Sequence, residues 1–351
     1  MICDICQTKD RGYTVYFSEE TIPQELFNYF EDRREDTWKK INNRMIWVIE
    51  PVFFDFIDYA EAHLVSDFIF AIISDVLDPL KQLNEMKKIS DFKLERESSW
   101  IDTLIKQQSI VTHYQPIVSF ENQNVKIIGH ELLSRGINPQ GDIIPPFKLF
   151  EAARIRNRVF ALDRACRMQS VKNANVVGDK LIFINFIPTA IYVPEHCLST
   201  TFSLIKKMNI KPEQVVFEVV ETDEVTDIEH LKSILNYYRS HGFKYALDDV
   251  GVGFNDIETL MKMDPDVVKL AIEYTNGVCH DAEKQKVAKK VMMIAHDVGA
   301  MALAEGVERE EDFNFLIKMG YDLFQGYYFS KPTPQPLQSI VVNESLHLEQ
   351  K

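Results

Sequence analysis

From about residue 110 onward the chain alternates between short apolar runs of strand character and longer amphipathic stretches of helical period. The runs cover 111–118, 126–133, 181–185, 215–220, 244–248, 266–270, 301–305 and 323–329. Helical patterns over 147–173, 201–208, 227–241, 256–263, 281–298 and 310–319 separate them, except for the first pair, which a polar turn through 121–124 joins. Strands alternating with helices imply a mostly parallel sheet, because the chain must cross back before the next strand can start in the same direction. Eight candidate strands within residues 110–351 match the size of a (β/α)8 barrel, about 250 residues. An open doubly wound sheet is the rival, and the placement of polar residues decides between them.

In a barrel, chemistry gathers where the strands end. Every candidate strand but the first carries a charged or amide residue at or near that end: Glu131, Asn185, Glu218 with Glu221, Asp248 with Asp249, Lys269, Glu305 with Glu308, and Gln325. A single strand-end acid is usually a solvated residue or a helix cap. Seven in register would form a common rim. Carboxylates at that density repel, and burying them in a run such as Val216-Phe217-Glu218-Val219-Val220 needs a compensating charge. Oxygen ligands without a His or Cys cluster favour Mg²⁺ or Mn²⁺. The pair Asp248-Asp249, ahead of Gly251-Val252-Gly253, is suited to bridging two ions, and Lys269 to holding an attacking water or a developing negative charge.

The remainder of the chain bounds the answer. A composition 46% hydrophobic and 26% charged is that of a chain with a proper core, which excludes disorder and a disulfide scaffold. The net charge of −14 argues against DNA, RNA or an anionic membrane as a partner, since those need a basic face. No apolar run reaches the roughly 18 residues of a membrane helix, and the start lacks the pattern of a signal peptide. Five cysteines without a repeated framework suit a reducing cytoplasm. Cys3 and Cys6 have half-site zinc spacing, but no second pair follows, so they read as a thiol pair at the terminus. Upstream of the barrel, 12–17 and 45–50 read as strands, 23–31 as a helix between them, and 55–89 as helical; the aromatic run Phe53-Phe54-Asp55-Phe56 belongs to a core. The expected organisation is a small α/β regulatory domain over 1–80, a helical connector over 81–109 and the barrel over 110–351.

At these residues the chain resembles the EAL-domain family. His113-Tyr114-Gln115-Pro116-Ile117-Val118 resembles its opening strand, and Gly129-His130-Glu131-Leu132-Leu133-Ser134-Arg135 the segment that names it, with Leu132 where alanine is usual. Asn185 with Pro188, Glu218 to Glu221, Asp248 to Gly253, Lys269, Ala304 to Glu308, Gln325-Gly326-Tyr327 and Ser330-Lys331-Pro332 follow in order. The resemblance implies a TIM-like barrel that hydrolyses one phosphodiester of cyclic di-GMP to linear pGpG, using one or two Mg²⁺ or Mn²⁺ ions and inhibited by Ca²⁺. It implies Glu131, Asn185, Glu218 and Asp248 as ligands of the first metal, with Asp248 and Asp249 reaching the second. Lys269 and Glu305 would hold and activate water, and Gln115, Arg135 and Gln325 would contact the nucleotide. Glu221 would buttress the loop after Asp249, a loop implied to serve in dimer contacts. Two departures stand out. Ala271 replaces the aspartate usual two residues after Lys269, and Val250 and Val252 replace an aromatic and a hydroxyl residue. Losing a supporting carboxylate typically costs about 10- to 100-fold in metal affinity or activity, which implies either a slow phosphodiesterase or a cyclic-di-GMP-binding sensor.

Overall fold

A computed structural model of the chain describes residues 11–18, 22, 24–63, 66–80, 83–191, 193–219, 228–251 and 264–340. The described residues form two compact units, 11–106 with 150–158, and 107–149 with 159–340.

The first unit is built on a five-stranded antiparallel sheet with two helices between its strands, followed by the helices Lys93–Glu97 and Trp100–Gln107. Its elements follow as β1 (Gly12–Phe17), α1 (Gln24–Glu31), β2 (Trp38–Asn42), β3 (Met45–Ile49), α2 (Glu50–His63), β4 (Ile69–Ser74) and β5 (Lys87–Lys88). The strand order β2-β3-β1-β4-β5 makes the first six elements a split β-α-β arrangement. Period-two alternation turns Tyr13, Val15 and Phe17 of β1 onto Phe53, Phe56, Ile57 and Ala60 of α2. Tyr13 and Phe53 stack with centroids 4.0 Å apart.

Two expectations change here. Residues 69–74 are a strand rather than part of a helix: a short unbroken apolar run satisfies either period, and only pairing with β1 settles it. The stretch from 87 onward also belongs to this unit instead of forming a separate helical connector. β5 extends the sheet beside β4, and Ile89 and Phe92 enter its core, Phe92 lying edge-on to Tyr13 and Phe53. The charged residues around those two apolar anchors mask them in the sequence.

The second unit is the expected barrel. Its strands are β6 (Ile110–Glu121), β7 (Asn124–Ile137), the two-residue β8 (Ile143–Ile144), β9 (Leu181–Phe186), β10 (Val215–Val219), β11 (Lys244–Val250), β12 (Val267–Leu270), β13 (Met301–Ala304) and β14 (Leu323–Phe324). Closure comes from β6, which pairs with both β14 and β7, so that eight strands form a ring to which β8 is appended. Seven of the eight are mutually parallel, and β6 runs against them. The cause is local. Asn122 and Gln123 both adopt positive φ (50° and 61°), the geometry of a two-residue hairpin turn, leaving no room for a crossover helix. The expected helix over 256–263 and the ends of strands and helices at 220–227 lie outside the described residues. No helix among the described residues is long and apolar enough to cross a membrane.

Candidate metal and phosphodiester site

The barrel interior has an apolar floor made by Ile117, Phe183, Val216, Ala246, Val267, Leu303 and Leu323, one from each strand except β7. The polar residues singled out from the sequence lie two positions further on, Asn185, Glu218, Asp248 and Lys269 within the same strands and Glu305 and Gln325 immediately after them. Side chains two apart on a strand face the same way, so each polar group stands over an apolar one, inside the ring. On β6, which runs backward, the step is reversed and leads from Ile117 to Gln115. On β7 the floor position is Gly129, where a Cβ would come within 2.9 Å of the Leu181 backbone oxygen; Glu131 stands two residues beyond. Removing a floor side chain such as Phe183 is expected to cost about 3–5 kcal/mol.

Two linked groups result. Glu131 accepts from Asn185 Nδ2 at Oε1 and from Gln325 Nε2 at Oε2, each at 2.7 Å. Lys269, wholly buried, approaches Glu218 Oε1 at 2.7 Å, Asp248 Oδ1 at 3.0 Å and Glu305 Oε1 at 2.5 Å. Burial works against the charge of each group, and its outcome differs among them. For Glu131 it is outweighed by Lys269 and the two amide donors, so its pKa falls below the usual carboxylate value. For Glu218, burial and the Glu131 charge push the pKa well up, and for Glu305 burial and Asp248 do the same. Burial also opposes the ammonium of Lys269, but Asp248, Glu218 and Glu305 more than restore it. One cation cannot balance so many carboxylates.

Asp248 and Asp249 sit on a bulge. Leu247 pairs with Val268 and Val250 with Leu270, so two residues of β11 stand opposite Lys269 alone. Asp249 takes the left-handed conformation, φ 51°, which aspartate tolerates better than most residues, and its amide donates to Asp248 Oδ1 at 3.1 Å. Burial, then the neighbouring Asp248 charge, raises its pKa. One carboxylate oxygen from each of Asp248, Asp249 and Glu305 lies within 4.8 Å of the others.

A divalent cation fits this donor set. All the candidate donors are hard oxygens, and neither oxygen of the buried Glu218 has a hydrogen bond of good geometry among the described residues. The Glu218–Lys269 contact is therefore one of charge, in a network that is not satisfied on its own. At the periphery, Gln115 Nε2 reaches Ser330 O at 3.4 Å and Arg135 Nη1 donates to Ser134 O at 2.8 Å. Gln325, expected at the nucleotide, holds Glu131 with its Nε2, and its Oε1 is buried without a hydrogen bond among the described residues. Glu221, Val252, Cys3 and Cys6 lie outside the described residues.

Two supporting acids escaped the sequence reading. Asp163, on the helix Val159–Asn173, accepts from Ile187 N at 3.0 Å and pairs with Arg167 at 3.2 Å, fixing the chain just past Asn185. Asp312 accepts from the amides of Gly277 and Cys279, pinning the segment after β12. Each occupies the buried side of an amphipathic helix, a faint signal without a structure. Gly306 follows Glu305 with φ 66°, and a Cβ there would meet Ile272 at 2.1 Å, so this turn needs glycine.

The family described as EAL domain matches residues 98–332. A relative from Escherichia coli (strain K12), named probable cyclic di-GMP phosphodiesterase PdeG, is 29% identical over 237 residues, covering 65% of this chain and 45% of its own. The chain thus spans less than half of that relative. A crystal structure of a standalone EAL protein from Vibrio cholerae O395 in its c-di-GMP-bound form superposes with TM-score 0.58 at 30% identity, covering 66% of this chain and 95% of that one. The FimX EAL domain of Pseudomonas aeruginosa, bound to c-di-GMP, gives TM-score 0.62 at 20% identity over 70% and 100% of the two chains, a likeness of fold.

Proposed function

This chain belongs to the EAL-domain family, and on that premise we propose that it is a metal-dependent phosphodiesterase opening one ester of cyclic di-GMP to give linear pGpG. The observation that carries this reading is the inward ring of Glu131, Asn185, Glu218, Asp248 and Glu305 around the buried Lys269, with Glu218 lacking hydrogen bonds among the described residues. In it, Glu131, Asn185, Glu218 and Asp248 hold a first Mg²⁺ or Mn²⁺, and Asp248 with Asp249 a second. When bound, such ions activate water and offset charge on the phosphodiester. Asn185 and Gln325 fix the direction of the Glu131 carboxylate. Lys269 holds Asp248 and Glu305 in place beside the attacking water through its contacts with both. Arg135 and Gln115 face the nucleotide. The dimer contact is assigned to the segment after Asp249, with Glu221 as its support, and the protein to the cytoplasm.

A second reading, a cyclic-di-GMP sensor without turnover, is favoured by one feature: the buried Ala271 stands where the family has an aspartate. Incubating the full chain with cyclic di-GMP and Mn²⁺, with product identified by mass, separates the two. The expected result is pGpG from the wild type and a rate lower by about 100-fold or more in Glu131→Ala. Equal inertness of both proteins, with cyclic di-GMP still bound in Ca²⁺, selects the sensor.

A further inference from the structure

Cys279 stands alone in the sequence, but the fold gives it company. Among the described residues, two groups of three side chains have the spacing to share a metal ion: Asp248 with Asp249 and Glu305 inside the barrel, and Cys279 with His280 and Glu311. The second group lies where two segments leave the barrel wall. Cys279 and His280 belong to the turn Val278–His280, downstream of Lys269, and Glu311 to the first turn of the helix Glu310–Met319, downstream of Glu305.

The turn is firmly held. Gly277 enters it at φ 79°, and the wholly buried Asp312 accepts from the amides of Gly277 at 2.9 Å and Cys279 at 3.1 Å. Gln285 Nε2 donates to the carbonyls of Val278 at 2.9 Å and Cys279 at 3.3 Å. The backbone is thus set before any ion arrives, while the side chains of His280 and Glu311 stay open to solvent. One ligand atom from each of the three residues lies within 4.8 Å of the others, and His280 Nε2 is 3.6 Å from Glu311 Oε2. That is too long for a hydrogen bond, whereas two ligands of one tetrahedral Zn²⁺ stand about 3.3–3.7 Å apart. Bringing the sulfur to the same spacing takes a movement of about 1 Å, within reach of side-chain rotation. Glu311 gives its other oxygen to Arg309, whose Nη1 is 3.4 Å from Oε1, so Oε2 is the one left facing the imidazole.

We propose that Cys279, His280 and Glu311 bind Zn²⁺, with water as the fourth ligand. Sulfur and imidazole suit a borderline-soft ion, whereas the all-oxygen cluster around Asp248 suits a hard one, so the two sites favour different metals. Burial and then the Asp312 carboxylate push the Cys279 thiol up to about 11. The sulfur therefore holds its proton until the ion replaces it, and that proton leaves to solvent. Once bound, the ion ties the segment that follows Lys269 to the one that follows Glu305.

Cobalt reports on this site, because a thiolate on Co²⁺ gives a charge-transfer absorption that carboxylate ligands cannot give. The full chain is titrated with Co²⁺ in excess Mg²⁺, carrying Cys3→Ser and Cys6→Ser so that the terminal thiols supply no sulfur. The expected result is a thiolate–cobalt absorption that saturates at one ion per chain and is displaced by Zn²⁺. Cys279→Ser should abolish it, and His280→Ala and Glu311→Gln should each weaken Zn²⁺ binding about 10-fold or more. Circular dichroism verifies folding of each variant. The proposal is overturned by no thiolate absorption up to about 1 mM Co²⁺, by an absorption that persists in Cys279→Ser, or by a Zn²⁺ affinity that is unchanged when His280→Ala and Glu311→Gln are combined.

Discussion

Arg156 in the first unit and Lys269 in the barrel are both wholly buried among carboxylates, yet the two clusters are built on opposite terms. Arg156 has a hydrogen bond from every guanidinium nitrogen: two to Glu50, one to Asp102 and a longer one to the Glu95 carbonyl. Lys269 meets three carboxylates by charge contact, and neither Glu218 oxygen has a hydrogen bond among the described residues. The first cation has a hydrogen bond on every nitrogen; the second has none of good geometry among the described residues and sits in a cluster rich in carboxylates. A saturated buried ion pair does architectural duty, whereas an unsaturated one is held open for something the fold itself does not supply.

The largest expected effect tests the architectural half. Arg156→Met strands Glu50 and Asp102 and is expected to cost about 3–5 kcal/mol in denaturant unfolding. Its loss should be the same in EDTA and in Mn²⁺. Lys269→Met is expected to lower phosphodiesterase turnover by about 10²- to 10³-fold. Its melting temperature should fall in EDTA and recover in Mn²⁺, because a bound cation can stand in for the missing ammonium. If both variants respond alike to Mn²⁺, the contrast drawn between the clusters is broken.

A third effect lies on the two faces of β7. Glu131 points inward, while its neighbour His130 points outward, 1% exposed, with Nε2 at 3.1 Å from the Leu337 carbonyl. Burial lowers the His130 pKa from 6.5 to about 4. Above pH 6.5 the imidazole is neutral in folded and unfolded chains alike and adds no pH dependence. As pH falls from 6.5 to 4 the unfolded chain takes up a proton that the fold refuses, so stability should drop by up to about 3 kcal/mol. Comparing unfolding free energies at pH 7 and 4.5 in wild type and His130→Gln isolates this share; equal slopes would count against it. The smallest effect concerns the departure from the family. Ala271→Asp should raise turnover or Mn²⁺ affinity by up to about 10-fold, and an unchanged Mn²⁺ titration would show that position 271 does not bear on the site.

Much of this was legible in the sequence for one physical reason. In the barrel each strand repeats the same pair, an apolar residue and a polar one two positions later, so Val216 with Glu218 or Val267 with Lys269 reports both fold and site together. Where a neighbour rather than a pattern decides, the reading fell short. Nothing in Ile69–Ser74 alone distinguishes strand from helix until β1 lies beside it. Phe92 is hidden among charges, and the role of Gln325 depends on a contact 194 residues away. The direction of β6 was encoded in the short polar turn at 121–124, whose hairpin character outweighs the helix-strand rhythm of the remaining chain.

The bulge at Asp248 and Asp249 has a further consequence, best seen as a matter of parity. In a regular strand odd and even positions belong to different faces, so two consecutive carboxylates can never share a cation. The extra residue in β11 breaks that count at one point, and Val250 then rejoins the wall in step with Leu270. Deleting Asp249 would restore strict alternation and leave a single acid at this corner of the rim. The closeness of two consecutive carboxylates therefore resides in an irregularity of backbone counting as much as in the aspartates themselves.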